Sequence, residues 1–258
     1  MVVLTIALGI GATTAIFSLL DAIALRELPV KDPSGLVAIH LLNKNHESES
    51  LPLSAFEIIK SRQTAFKAFA GWTSLGVTTE SNGTLTPSIL DGVMGGYFSL
   101  LRIQPALGRF IQTYDDGSAG GPVSAVTVIS YHFWQEWYNK DQKVIGKSIV
   151  VQGIPFTIVG VAPKDYLGLQ VGVPTDLTVP LPMIQKVANA VNMGVTQPQM
   201  DYALGRLNPK VGIVQARAQM ASLWQRIQAT SGSQNYTPRQ ISNIYTSRII
   251  TESASTGF

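Results

Sequence analysis

The residues of this chain that could do chemistry are few and stand apart. Its three histidines are His40, His46 and His132, and none has a second histidine four residues away to hold a metal from one helix face. His46 sits in the charged stretch NKNHESES (43–50) and reads as solvated surface; His132 reads as a polar surface residue in the first turn of a helix. Asp115-Asp116 before Gly117 has the start of a calcium loop, but such a loop needs oxygen ligands through its twelfth position. GSAGGPVSAV (117–126) supplies almost none, so the pair reads as a solvated turn. The absence of cysteine removes disulfides, thiolate zinc sites and cysteine nucleophiles. Gly9 and Gly11 lack the third glycine, the preceding strand and the following acid of a dinucleotide fingerprint. A nucleophile elbow, a Walker A loop and a kinase signature are also absent. The sequence therefore names no catalytic, cofactor-binding or metal residue.

Composition points away from a free soluble enzyme. Of 258 residues, 45% are apolar and only 14% charged, where roughly 25% charged is usual for soluble domains. The net charge of +3 comes from scattered residues with no basic stripe, so no nucleic-acid partner is implied.

Residues 1–20 (MVVLTIALGIGATTAIFSLL) carry no charged side chain, and about 20 helical residues cross a bilayer's hydrocarbon core. This predicts a transmembrane helix over 1–25, with Gly11 and Ala15 on one face for close packing. A signal peptide would carry a basic leader, and here no Lys or Arg precedes Arg26. A stalk over 26–35 follows. The next elements are a strand over 36–42 and a helix opened by a capping box from Ser54 to Glu57, burying Phe56, Ile59 and Phe66. Two β-rich stretches over 75–94 flank Ser81-Asn82-Gly83.

A second block begins near Pro105. It holds a strand over 126–129, a helix over 131–138 capped by Ser130, and an aromatic cluster of Phe133, Trp134 and Trp137 that reads as core. IVVQGIPFTIVGV (149–161) is the clearest hairpin, turning at Gln152-Gly153 with Gly153 at positive φ. Pro180 and Pro182 mark the strand over 177–181 as an edge or an end. Beyond the Asn208-Pro209 turn, a helix over about 213–227 places Ala216, Met220, Leu223, Trp224 and Ile227 on one side. A strand is expected around 241–250. Gly108, Arg109, Trp134 and Gly153 read as architectural. The irregular interleaving of helices and strands favours an α+β fold.

Longer stretches carry a resemblance. LTIALGIGATTAIFSLLDAIALRELPVKDPSGLVAI (4–39) resembles the first membrane helix and outer-domain approach of MacB-like ABC transporter permeases, closest to the acidobacterial permease family. GYFSLLRIQPALGRFI (96–111), VTVISYHFWQEWYNKDQKVIGKSIVVQGIPFTIVGVAPKDYLG (126–168) and YALGRLNPKVGIVQARAQM (202–220) continue it in order. The resemblance implies an N-terminal transmembrane helix followed by a discontinuous two-subdomain periplasmic core. A porter-like subdomain would comprise 36–104 and 200–250, with a smaller α/β subdomain inserted over 105–199. Residues 251–258 would approach a missing membrane segment, so the chain reads as a fragment. Its implied place is the bacterial inner membrane with most of the chain in the periplasm. Its implied work is to transmit ATP-driven movement for export or efflux, without enzyme activity and without a cofactor of its own. ATP would bind a separate cytoplasmic ABC ATPase. The other implied partners are a second permease copy, as a homodimer, and envelope or outer-membrane proteins. The alternative is a membrane-anchored periplasmic binding or scaffold module that does not transport.

Overall fold

The structure is a computed structural model that describes residues 9–11, 13–14, 27–81, 83–194, 199–230 and 238–257. A short 3₁₀ turn at Pro33–Gly35 leads into β1 (Leu36–Leu42), which is buried from Leu36 to Leu41. After β2 (Ser48–Glu49) and β3 (Leu51–Pro52) comes α1 (Leu53–Arg62). The capping box is corrected here: the cap is Pro52, extended and pairing with residue 199, so Ser54 already lies inside the helix and caps nothing. Phe56 and Ile59 are buried on α1, whereas Phe66 belongs to the strand that follows.

That strand, β4 (Phe66–Ser81), runs antiparallel to β5 (Thr84–Val93) from Trp72↔Val93 out to Ser81↔Thr84. Asn82, in the expected turn, lies outside the described residues; Gly83 has φ +77°. Next come α2 (Tyr97–Leu101), β6 (Leu107–Gly108), β7 (Val126–Ile129) and α3 (Tyr131–Tyr138). The Ser130 hydroxyl accepts from the Phe133 amide at 3.0 Å, the cap expected from sequence. β8 (Ser148–Val151) and β9 (Ile154–Val161) form the expected hairpin, with Gln152 at φ 48° and Gly153 at φ 79°. Positive φ at both turn residues matches the twist of the flanking strands. No atom lies within 4 Å of where a Gly153 Cβ would stand, so a side chain there is opposed by backbone conformation alone. Gly153→Ala is expected to cost about 1 kcal/mol; a urea midpoint equal to the parent's would contradict that strain.

β10 (Leu177–Pro180) is fully buried and internal, parallel to β5 and antiparallel to β7, so the edge reading fails while the end reading holds. Pro180 closes it and caps α4 (Leu181–Ala190). β11 (Gln199–Met200) pairs with β3, and β12 (Tyr202–Leu207) lies between β1 and β4. α5 (Ile213–Thr230) buries Ala216, Met220, Leu223, Trp224 and Ile227, the face its spacing predicts. The strand expected around 241–250 is replaced by α6 (Pro238–Thr246) and then β13 (Arg248–Ser253). The isoleucines suggested a strand, but Ile241 and Ile244 stand three apart on a helix opened by Pro238. Trp224 Nε1 and Gln228 Nε2 hold this helix by donating to the Ser247 and Ile244 carbonyls at 3.0 and 2.8 Å.

Eleven strands form one sheet in the order β13-β1-β12-β4-β5-β10-β7-β9-β6, with β2 on β1 and β8 joining β4 to β9. Two apolar cores lie along it. One gathers Leu36, Ile39, Phe56, Tyr97, Leu204 and Trp224. The other gathers Ile129, Phe133, Phe156, Leu177 and Val187, with Val77 of β4 and Leu90 of β5 among its members. The long β4–β5 pair therefore contributes to both.

The expected transmembrane helix, and the inner-membrane anchoring built on it, are corrected. Among the described residues, no helix is long and apolar enough to cross a membrane. The longest of the elements above, α5, has 18 residues, buries a single face and carries the exposed Arg217 and Arg226 outside it. A span needs a nearly continuous apolar surface instead. Of residues 1–25, the structure describes 9–11 and 13–14, which are helical; the remainder lies outside the described residues.

Candidate functional site

The candidate site is the base where the chain enters and leaves the sheet. The Leu28 amide donates to the Ser255 carbonyl at 2.8 Å, and the Ala254 amide to the Leu36 carbonyl at 3.0 Å. The two flanks are thus bonded to each other. Gly257 is pressed close to the loop after β9: a Cβ there would meet the Leu169 carbonyl at 2.5 Å.

Arg206 of β12 locks this base. It is 2% exposed, and among the described residues its hydrogen bonds go to main-chain carbonyls. Its Nε donates to the Leu100 carbonyl at 2.8 Å, its Nη1 to the Asp32 carbonyl at 2.7 Å and its Nη2 to the Lys31 carbonyl at 3.0 Å. Burial, and then the nearby Arg102 charge, lower its pKa, with Asp32 opposing. Arginine stays charged through such shifts, so the three carbonyls face a fixed cation. Beside it, the Arg102 side chain forms an ion pair with Asp32. Both residues are left-handed, at φ 57° and 50°. Without glycine, each such conformation costs about 1 kcal/mol or more, so the pair and the base over-determine two strained positions.

From the base, contacts run through the loop between β9 and β10. Tyr166 and Tyr97 share a hydrogen bond of 2.6 Å between their hydroxyls, and burial raises both pKa values. Further on, the Thr175 hydroxyl donates to Asp91 Oδ2 at 2.6 Å, and Asp176 Oδ2 accepts from the Ile89 amide at 2.9 Å. The loop thus ties the base to β5, which serves both cores.

Asp91 is 2% exposed, and burial raises its pKa against the lowering effect of its Thr175 hydrogen bond. A raised pKa makes its stabilisation complete below the ordinary carboxylate value and lost as pH rises through the folded value. Asp91→Asn keeps an acceptor for Thr175 and cannot ionise. It is expected to melt above the parent at pH 8, with the gap closing towards pH 4. A gap equal at both pH values would contradict burial as the source of the shift.

The residues singled out in the sequence are not brought together. His132 is exposed, with Nε2 3.1 Å from Glu136 one turn on, and His46 is exposed, with Nδ1 3.1 Å from Arg248 Nη2. His40 is buried against the Tyr202 ring at 5.1 Å, and desolvation lowers its pKa more than Glu252 raises it. Among the described residues, no group of three or more His, Cys, Asp or Glu could hold a metal.

The solvated-turn reading of Asp115-Asp116 is corrected. They are 1% and 7% exposed. Asp115 accepts from Arg109 Nη1 and Nη2 at 2.6 and 3.0 Å and from the Gln112 amide at 2.9 Å. Asp116 accepts from the amides of Gly95 at 2.6 Å and Ser118 at 2.8 Å. Sequence reasoning missed Arg206 altogether. Its available signal was a cation inside the apolar run YALGRL, since a charge in a buried strand must find partners.

A continuous sheet with two cores and both flanks bonded at one base define an α+β structural module. The chain aligns over residues 1–223 with the family model described as MacB-like periplasmic core domain. It is similar to the periplasmic region of MacB from Actinobacillus actinomycetemcomitans, at 14% identity and TM-score 0.60, covering 87% of this chain and 91% of that one. It is also similar to the extracellular domain of the ABC-type transporter YknZ from Gram-positive bacteria, at 13% identity and TM-score 0.59, covering 83% and 99%. At such identities these likenesses show the fold alone. No curated protein matches the chain in sequence. The family match spans most of the chain, which therefore belongs to the MacB-like periplasmic core domains. It is the core portion of an ABC transporter permease and not an enzyme. Such a core works with an ATPase and a second permease copy.

Proposed function

We propose that this core transmits ATP-driven movement mechanically, for export or efflux, with no catalytic, cofactor-binding or metal residue taking part. The observation that carries this reading is the bonded base. Flanks joined to each other by the Leu28–Ser255 bond, and to β12 through Arg206, move with the sheet rather than independently of it. The porter-like part comprises 36–104 and 200–250, and the inserted part 105–199. The second apolar core supports that division, since Ile129, Phe133, Phe156, Leu177 and Val187 of the inserted part build most of it, while Phe110, Ile111 and Tyr166 of the same part pack into the first core and β4–β5 links the two. The ATPase is cytoplasmic, the permease is a homodimer, and envelope or outer-membrane proteins are further partners.

The test is Asp32→Asn in the full permease with its ATPase. Asparagine tolerates the left-handed backbone and removes the charge that pairs with Arg102. Lower substrate export per ATP hydrolysed is the expected result. Unchanged coupling, in a variant shown to have lost the pair, would reject the base as the transmitter.

A further inference from the structure

Beside the base runs an open groove of about 570 Å³ whose lining includes Lys31, Arg102 and Arg109 and no carboxylate. Its accessible apolar part is Ile103 and Pro105, both half-buried, whereas the Phe98 and Phe110 rings of the lining are 2% and 6% exposed and belong to the core. The three cations are held differently. Asp115 grips Arg109 with two hydrogen bonds, fixing it at the rim. The Arg102 side chain gives Nη1 to Asp32 and has no other partner among the described residues. Lys31 is exposed, and its side chain has no partner among the described residues. Arg102 also occupies the left-handed position that ends α2, where glycine is the usual residue. A long cationic side chain kept at that backbone cost is aimed, not incidental.

We propose that this groove binds the phosphate of an anionic phospholipid, with Lys31 and Arg102 contacting the phosphate and the Ile103–Pro105 side facing the adjoining apolar part of the lipid. An ammonium and a guanidinium over an apolar wall match a phosphate next to acyl chains. Asp32 and Asp115 each offset one arginine, so Lys31, exposed and with no side-chain partner among the described residues, supplies the preference for an anionic over a zwitterionic surface. The proposal rests on the permease reading only in placing the core near a lipid surface.

The test is flotation of the full chain with vesicles of phosphatidylcholine alone, or with one third phosphatidylglycerol. Stronger binding to the anionic vesicles is expected, reduced about fivefold by Lys31→Gln and about fivefold by Arg102→Gln, and weakened by salt. Binding to phosphatidylcholine should be the same for all three proteins, which separates the groove from any general apolar attachment. Lys31→Gln touches no partner, so its melting temperature should equal the parent's. Equal partition into both vesicles, or parent-like binding by Lys31→Gln, would overturn the proposal. Inorganic phosphate that stabilises the parent but not Lys31→Gln in the absence of lipid, with no preference for anionic vesicles, would assign the groove to free phosphate and overturn the lipid. None of these readouts depends on coupling to the ATPase, so they stand apart from the Asp32→Asn result.

Discussion

Replacing Arg206 with Met is expected to destabilise the domain by about 3 kcal/mol and to lower its melting temperature by about 10 °C. Methionine fills much of the space of the aliphatic stem, so the loss isolates the guanidinium. Three carbonyls, of Leu100, Asp32 and Lys31, lose their donor together. The Leu100 bond is buried while the other two are half-buried. Water can therefore reach part of what is exposed, which keeps the expectation to about 3 kcal/mol instead of the sum of three charge-assisted bonds. Arg206→Lys keeps the charge without the planar fork and should recover only part of the loss. The effect should also overlap with that of Asp32→Asn, because both variants loosen residues 31–32 and neighbouring sites do not add. Urea unfolding of the two single variants and the double variant checks this. A loss below about 1 kcal/mol for Arg206→Met, or strict additivity with Asp32→Asn, would mean that Arg206 does not hold the base.

What the sequence made legible is local. The Ser130 cap, the Gln152-Gly153 turn and the buried stripe of α5 each depend on residues within one or two turns of chain, and each stands where the spacing placed it. The errors share a different cause. Asp116 is buried because the Gly95 amide, 21 residues away, reaches it. Pro52 displaces Ser54 as the cap because β3 pairs with β11, at the sequence-distant Gln199–Met200. The tail reads as strand until Trp224 and Gln228 supply partners for a helix. The base was the least legible feature of all. Arg206 meets Asp32 across 174 residues, and its acceptors are main-chain carbonyls, which every residue possesses and no motif marks. A site built from main-chain acceptors leaves a weaker trace in residue types than a site built from catalytic side chains.

Asp115 offers the second large test, because its surroundings reverse what its sequence suggests. A solvated aspartate in a turn tolerates alanine, with effects usually within about 0.5 kcal/mol. Here the carboxylate is 1% exposed and accepts two bonds from Arg109 and one from the Gln112 amide. Its own main chain extends the hold, since its amide donates to the Gln112 carbonyl and its carbonyl accepts from the Ser124 amide. Asp115→Ala should therefore cost about 2–3 kcal/mol. Arg109 is over a third exposed and can rehydrate, so its share of the ion pair is discounted. The larger share comes from the Gln112 amide and from the loop that then loses its anchor. Asp115→Asn can still accept from the Gln112 amide, so it should fall between alanine and the parent. The order parent, Asn, Ala in urea midpoints is the signature of an organising carboxylate. An alanine variant as stable as the parent would restore the solvated turn. The same substitution frees Arg109 at the groove rim, so anionic-vesicle binding by Asp115→Ala should rise or hold rather than fall as it does for Lys31→Gln. Stability and lipid binding moving in opposite directions in one variant would separate the architecture of the loop from the chemistry of the groove beside it.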